Sequence, residues 1–552
     1  MMRFRGRSAM RLLKILALLS LTNLACTQGE PVDLLFHNGK IVTVDDDFSI
    51  HEAIAVRDGK VLAVGGAELV NSYDATRVVD LGGKLLMPGF NDTHIHIRGR
   101  ARRAVVLTDL ESIEEIKRRV RAKAEELGAG EWITGYGWSE DELDEGRRPL
   151  RWDLDEAAPD NPVILTRAGG HSAVANSMAL ELADVTAETP QPEGGVIEHD
   201  NNGELNGVIR ERQRIVSRLV PDATPEELRE TFVQSLRDLL PLGITSIIQA
   251  GVRPDAFGEW ESVYEEFGEE LPRAAVQVRF PDAESVRAFP KKTGDGDARL
   301  RVGAVKVSVD GGFTGPAAYT LDPYKGEESY RGTLNLSEEE LRDIVTTAHG
   351  LGWQLGFHAI GDAAIVLTVA AFTDAIDAQP RDDHRHFLNH FTVMPPDETM
   401  QQMAEYDIFI AQQPNFTYTL EGRYAANLED ARLAHNNALR SPMDHGVFVA
   451  LGSDILPIGP MVGIYAAVTR KGMSGKVYGA EEKLTMEEAI RGYTAYGAYF
   501  TWEEDTKGTL APGMLADMIV LSEDLLTIDP EKILDVQVEM TVVDGKVLFE
   551  RN

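Results

Sequence analysis

Short apolar runs alternate with longer amphipathic stretches through most of this chain. That rhythm predicts strands followed by helices, and so a parallel sheet or barrel. Candidate strands are Ile244–Ile248, Ala275–Val278, Val302–Val307, Trp353–His358, His386–His390, Ile408–Ala411 and Val447–Leu451, with helices such as Ser337–Leu351 and Asp362–Ala378 between them. With Leu85–Thr93 the strands number eight, as a (β/α)8 barrel requires.

The two ends have a different grammar. Asp33–Val44 reads as two apolar strands around Asn38-Gly39, a hairpin signal, and Ala53–Gly65 repeats it around Asp58-Gly59. Met518–Leu521 and Met540–Leu548, the latter turning at Asp544-Gly545, do the same near the C-terminus. Both ends are therefore expected to pair into one small β-sandwich, residues 31–87 plus 509–552, flanking a barrel over 88–508; two separate end domains are the alternative. From about Gly99 to Gly243 the spacing exceeds a single βα unit, and residues of about 130–220, with Trp132, Trp138 and Trp152, read as an insertion.

Composition narrows the classes. The chain has 552 residues, 43% of them apolar, enough for a large core. Its formal charge of −34 argues against nucleic-acid binding, which needs a basic face. Residues 1–26 read as an export signal: Arg3, Arg5, Arg7, Arg11 and Lys14 precede the apolar run Ile15–Leu19 and then Leu21–Cys26. Cys26 is the only cysteine, so no intramolecular disulfide and no Cys-ligated zinc site can form. It stands where a bacterial lipobox cysteine is lipidated, although Asn23 occupies a position usually held by Leu. Ordinary signal-peptidase cleavage is the alternative. Either way the mature protein is expected outside the cytoplasm, in the periplasm or as a cell-envelope lipoprotein. Thr27 lacks the aspartate that retains such proteins at the inner membrane, which points to the outer one, with the membrane met only through the lipid.

The candidate chemistry sits at strand ends. His94 and His96 lie one residue apart after an apolar run and Pro88-Gly89, so an extended backbone points both imidazoles to one side. Lys306, His358, His390 and Asp454 each fall at or just past the C-terminal end of a predicted strand, and in a barrel those ends converge on one mouth. Singly, each has a plainer reading: a snorkelling lysine, satisfied core histidines, a turn or cap aspartate. Their joint order is hard to obtain by chance. His37, His51, His199, His349, His384, His386, His435 and His445 fit no such pattern and read as structural or exposed. The segment Gly311–Pro316 reads as a flexible loop, since no helix-opening Lys-Ser/Thr follows to make a phosphate cradle.

These residues resemble the amidohydrolase superfamily, and within it the amidohydrolase-3 group of YtcJ-like and N-substituted-formamide-deformylase-like proteins. The resemblance is carried by Pro88–His96, Arg167–Ser172 with Asn176-Ser177, Lys306–Gly311, His358–Asp362, Asn389-His390, Leu451–Asp454 and the tail Lys507–Asp517. One departure is Asn389, where relatives often carry Glu. The resemblance implies a (β/α)8 barrel with a β-sandwich from both termini. It also implies two divalent metal ions: His94, His96 and Asp454 on one, His358 and His390 on the other, and Lys306 bridging them as a carboxylated lysine. Zinc is favoured by imidazole and carboxylate donors, though iron or manganese also suit them. His171 becomes a candidate for the substrate pocket, with a structural role as the alternative. Arg210-Glu211 and Tyr319 could line that pocket too.

Two cations about 3.5–4 Å apart would acidify a shared water to hydroxide near neutral pH and polarise a carbonyl. Asp454 would carry the proton to the leaving nitrogen. The expected function is thus hydrolysis of a non-peptide C–N bond in a small-molecule amide, an N-formyl or N-acyl compound among the options. Two alternatives remain open: a one-metal deaminase or cyclic-amidine hydrolase, and a non-catalytic surface binding lipoprotein.

Overall fold

The computed structural model describes residues 29–551, apart from residues 108, 109, 111, 141, 142, 168, 169, 314 and 456. The expected export signal over 1–26, with Cys26, lies outside the described residues. Among those described, no helix is long and apolar enough to cross a membrane.

Eight parallel strands form the central barrel: β1 Phe90–Ile95, β2 Ile244–Val252, β3 Arg273–Arg279, β4 Leu300–Lys306, β5 Gly356–Ala359, β6 Phe387–His390, β7 Phe409–Gln412 and β8 Val449–Leu451. They pair in sequence order as β1 to β4 and as β5 to β8. Parallel bridges from Val305 to Leu355 and from Ser308 to His358 join the two halves, and one from Ile95 to Asp454 closes the ring. The lumen is filled by Ile248, Ala275, Ala304, Phe387, Phe409, Ala411, Ala450 and Phe500, small and aromatic side chains interleaved. This plug lies below the strands' C-terminal ends, where the candidate ligands sit.

The helices follow from local signals. Glu338–Gly350 opens with a reciprocal capping box between Ser337 and Glu340, and three glutamates sit in its positively polarised first turn. Asp362–Ala378 is apolar almost all round and buries ten residues in the helix layer, as its sequence requires.

The ends of the chain build a two-sheet sandwich. One sheet is four-stranded (Lys60–Gly65, Ala53–Arg57, Glu30–His37, Tyr73–Asp80), and the other has six strands, with Leu85–Pro88 lying between Lys40–Val42 and the C-terminal Met518–Leu521. Leu34, Phe36, Ile54, Leu86, Met518 and Val542 fill the space between them. Two expectations change here. Asn38-Gly39 does turn the chain, with Asn38 at φ +56, but the flanking strands enter different sheets instead of forming a hairpin. Leu85–Thr93 is two strands, divided at Gly89, where a Cβ would meet the Thr245 side chain at 2.2 Å. The sandwich is tied to the barrel by Arg273 of β3, which donates to Asp517 at 2.6 and 3.1 Å, all of it buried.

The long stretch after β1 carries its own six-stranded sheet, which runs from Ala104–Val106 to Leu205–Arg210 and has two apolar cores of its own. It begins earlier than the expected 130, because Ala104–Val106 is too short to register as a strand in the sequence. Trp132 and Trp138 are core residues, whereas Trp152 is partly exposed.

Candidate metal centre

Strand geometry brings six of the predicted residues to the barrel mouth. His94 and His96 sit at the end of β1, Lys306 ends β4, His358 lies in β5, His390 ends β6 and Asp454 follows β8. One nitrogen of His94, one of His96 and one Asp454 oxygen lie within 4.8 Å of one another. Asp454 stands 3.7 Å from His94 Nε2 and 3.8 Å from His96 Nε2. The His390 ring bridges toward the other side, 4.6 Å from His94 and 4.5 Å from His358 between centroids.

What surrounds the rings decides which nitrogen faces the centre. His94 Nδ1 donates to Asn389 Oδ1 at 2.6 Å, and His390 Nδ1 donates to Gln413 Oε1 at 2.7 Å. The His358 ring bonds the Gly311 backbone, and its Nε2 is left without a partner. His94 Nε2 and Lys306 Nζ are likewise buried and unpartnered. Buried polar atoms without partners are rare and call for an explanation. An imidazole whose far nitrogen is tied to an acceptor and whose near nitrogen is free is arranged as a metal ligand is.

The electrostatics agree. Burial, with the Lys306 charge nearby, depresses the protonation of His96 and His358 to about 3 and that of His94 and His390 well below the ordinary value. All four are therefore neutral at pH 7, the form that binds metal. Burial also pulls the Lys306 amine down to about 7 and pushes Asp454 up to about 6. The residues present fit a divalent metal: neutral nitrogens, one carboxylate and one amine, with lone pairs that nothing in the protein takes up. Backbone strain marks the same place, since His390 and Asp454 hold φ values of +83 and +59.

Some residues were not singled out by sequence. Asp92, buried, accepts from the His94 and Ser453 backbone N–H groups and so ties β1 to the turn carrying Asp454. Asp310, also buried, accepts from the backbone of Tyr319, Ile360 and Gly361 and stands 3.5 Å from His358 Nε2. Burial raises both carboxyls to about 7. The alternation Asp92, His94, His96 was a visible signal for the first; Asp310 lies inside the Lys306–Gly311 motif but was given no role there, and Gln413 had no signal beyond its place after a strand end. Asn389, noted only as a departure, proves to hold His94. His171 is not in the cluster: its ring is 81% exposed, in the added domain, with Glu211 at 3.2 Å. Its expected place in a substrate pocket gains nothing from that position.

A barrel whose mouth gathers neutral imidazoles and a carboxylate at successive strand ends is the frame of a metal-dependent hydrolase. The Amidohydrolase family model matches residues 77–549, and the chain belongs to that family, hydrolases of carbon–nitrogen bonds. It is 29% identical over 538 residues to the putative amidohydrolase YtcJ of Bacillus subtilis (strain 168), covering 94% of this chain and 99% of that protein. It is 28% identical over 557 residues to the N-substituted formamide deformylase of Arthrobacter pascens, with 94% and 98% covered. Among solved structures it resembles an uncharacterised metal-dependent hydrolase from Pyrococcus horikoshii OT3, at 25% identity and a TM-score of 0.66, covering 90% of this chain and 99% of that one. Membership implies a divalent metal and a small-molecule substrate.

Proposed function

We propose that the chain hydrolyses a non-peptide amide of N-formyl or N-acyl type, using two divalent ions, zinc by preference, held by these six residues. His94, His96 and Asp454 would hold one ion, His358 and His390 the other, and Lys306, carboxylated on Nζ, would join them. The observation that carries this reading is the set of imidazoles tied back through Nδ1 or the backbone around an orphaned, buried lysine amine. An amine pulled down to about 7 is neutral often enough to add CO₂, which a protonated lysine cannot do. When bound, the metal polarises the amide carbonyl and makes water a stronger acid.

The chain's own groups do the rest. Asn389 and Gln413 fix two rings, Asp92 fixes the loop behind Asp454, and Asp454 takes the proton from the attacking water and gives it to the leaving nitrogen. Amide plus water becomes carboxylate plus amine, or formate plus amine when the acyl group is formyl. The likeness to a formamide deformylase supports the N-formyl option. The basic residues Arg3 to Lys14 followed by the apolar run to Cys26 support an exported protein anchored at Cys26.

The test is amine release from N-formyl and N-acetyl benzylamine by zinc-loaded protein. Asp454→Asn is expected to lower turnover roughly 100-fold or more while the far-UV spectrum is kept. Full turnover in that variant would remove Asp454 from the reaction.

A further inference from the structure

Arg279, the last residue of β3, faces the lumen. Side chains alternate along a strand, and Ala275 packs in the lumen with Ala304 of β4, so Arg279 shares a face with Ala275, as Lys306 does with Ala304. Arg279 and Lys306 are paired in register. A Cβ at Gly251 would lie 2.9 Å from Lys306 Cγ and 3.5 Å from Arg279 Nε, so the two side chains flank one glycine. Arg279 is exposed, and among the described residues no carboxylate pairs with it, although acidic residues outnumber basic ones by 89 to 55. The neighbouring Arg253, by contrast, is gripped by Asp255 through two hydrogen bonds. A cleft of about 690 Å³ is walled by Arg279, Pro281, Val307, Ser308 and Leu336, with the Arg253–Asp255 pair also on its lining.

We infer that Arg279 anchors a carboxylate of the substrate, so that this site takes amides whose amine part carries an acid group and an apolar body. A guanidinium presents paired N–H donors that match a carboxylate, and one that finds no carboxylate within the chain is open to one on a ligand. Pro281 and Leu336, which line the same cleft, offer the apolar wall for the hydrocarbon part. This rests on the C–N hydrolase reading above and names its substrate class.

The test uses two probes that differ only in the acid group, N-formylphenylglycine and N-formylbenzylamine. Turnover is measured on zinc-loaded wild type, and binding by calorimetry on zinc-loaded Asp454→Asn. The wild type is expected to favour the acid in kcat/KM, mainly through KM, and to bind it more tightly. Arg279→Gln is expected to lower the acid-to-neutral ratio roughly 10- to 100-fold, with Arg279→Lys restoring part and metal content retained. An unchanged ratio in Arg279→Gln would overturn the inference. So would an equal fall for both probes with loss of metal, because Arg279 would then serve Lys306. Hydrolysis of both probes with no preference in the wild type would overturn it and leave the hydrolase reading standing. Binding of the acid through Arg279 with no formate released would support it and sink the N-formyl hydrolase reading.

Discussion

Replacing Asn389 with leucine removes one support of the centre at nearly constant volume. Asn389 is fully buried and makes two bonds, accepting from His94 Nδ1 at 2.6 Å and donating to the Gly356 carbonyl at 2.7 Å. Asn389→Leu leaves a buried N–H and a buried C=O without partners, each costing about 1–3 kcal/mol. The metal-free protein should therefore lose about 2–6 kcal/mol, read from urea unfolding. Metal affinity should fall about 10- to 100-fold, read by competition with a chromophoric chelator, because the His94 ring loses the acceptor that fixes its tautomer. Asn389→Asp separates the two effects. It keeps an acceptor behind His94 and gives up the Gly356 bond, so stability falls while metal affinity holds or rises. Metal binding in Asn389→Leu within about twofold of wild type, a change too small for a lost ligand support, would refute the argument.

Two further predictions lie away from the centre. Arg273→Met strips the partner from buried Asp517 and should cost about 3–5 kcal/mol in urea unfolding, most of it recovered when Asp517→Leu is added; a cost below about 1 kcal/mol would show that the pair does not tie barrel to sandwich. At the opposite end of the strands His384, His386 and His349 pack together, with Arg381 and Asp383 beside them, and burial holds His384 down to about 4. Above pH 6.5 this ring is neutral folded or unfolded. As the pH falls from 6.5 toward 4, only the unfolded chain takes up the proton, so wild type should lose up to about 1.4 kcal/mol per pH unit from this group. His384→Gln should show a shallower fall in urea midpoint between pH 7 and 5, and an identical slope would contradict the assignment.

Much of the barrel could be read from the chain because its strands are covered on both faces. Ile244–Ile248 and Val302–Val307 are mostly apolar and buried at every position for that reason, and the helices over 338–350 and 362–378 carry their own caps or apolar surface. The mouth residues were legible because strand ends converge in a closed barrel, so chain order alone placed Lys306 opposite Asp454. What escaped depends on partners far away in sequence. Asn38-Gly39 fixes a reversal and says nothing about which sheet receives each strand. Asn389 looked like a deviation until its amide was found behind His94. The added sheet starts at Ala104 in a strand too short to carry a pattern, and His171 sits in a motif although its ring points to solvent.

The central claim is a centre in which Lys306 joins two metal ions. Its most direct measurement is the metal-to-protein ratio of the purified protein beside Lys306→Ala, after growth with added zinc. The account predicts about two ions per chain, falling in the variant. About one ion, unchanged in Lys306→Ala, would contradict it and favour a single-metal enzyme built on His94, His96 and Asp454.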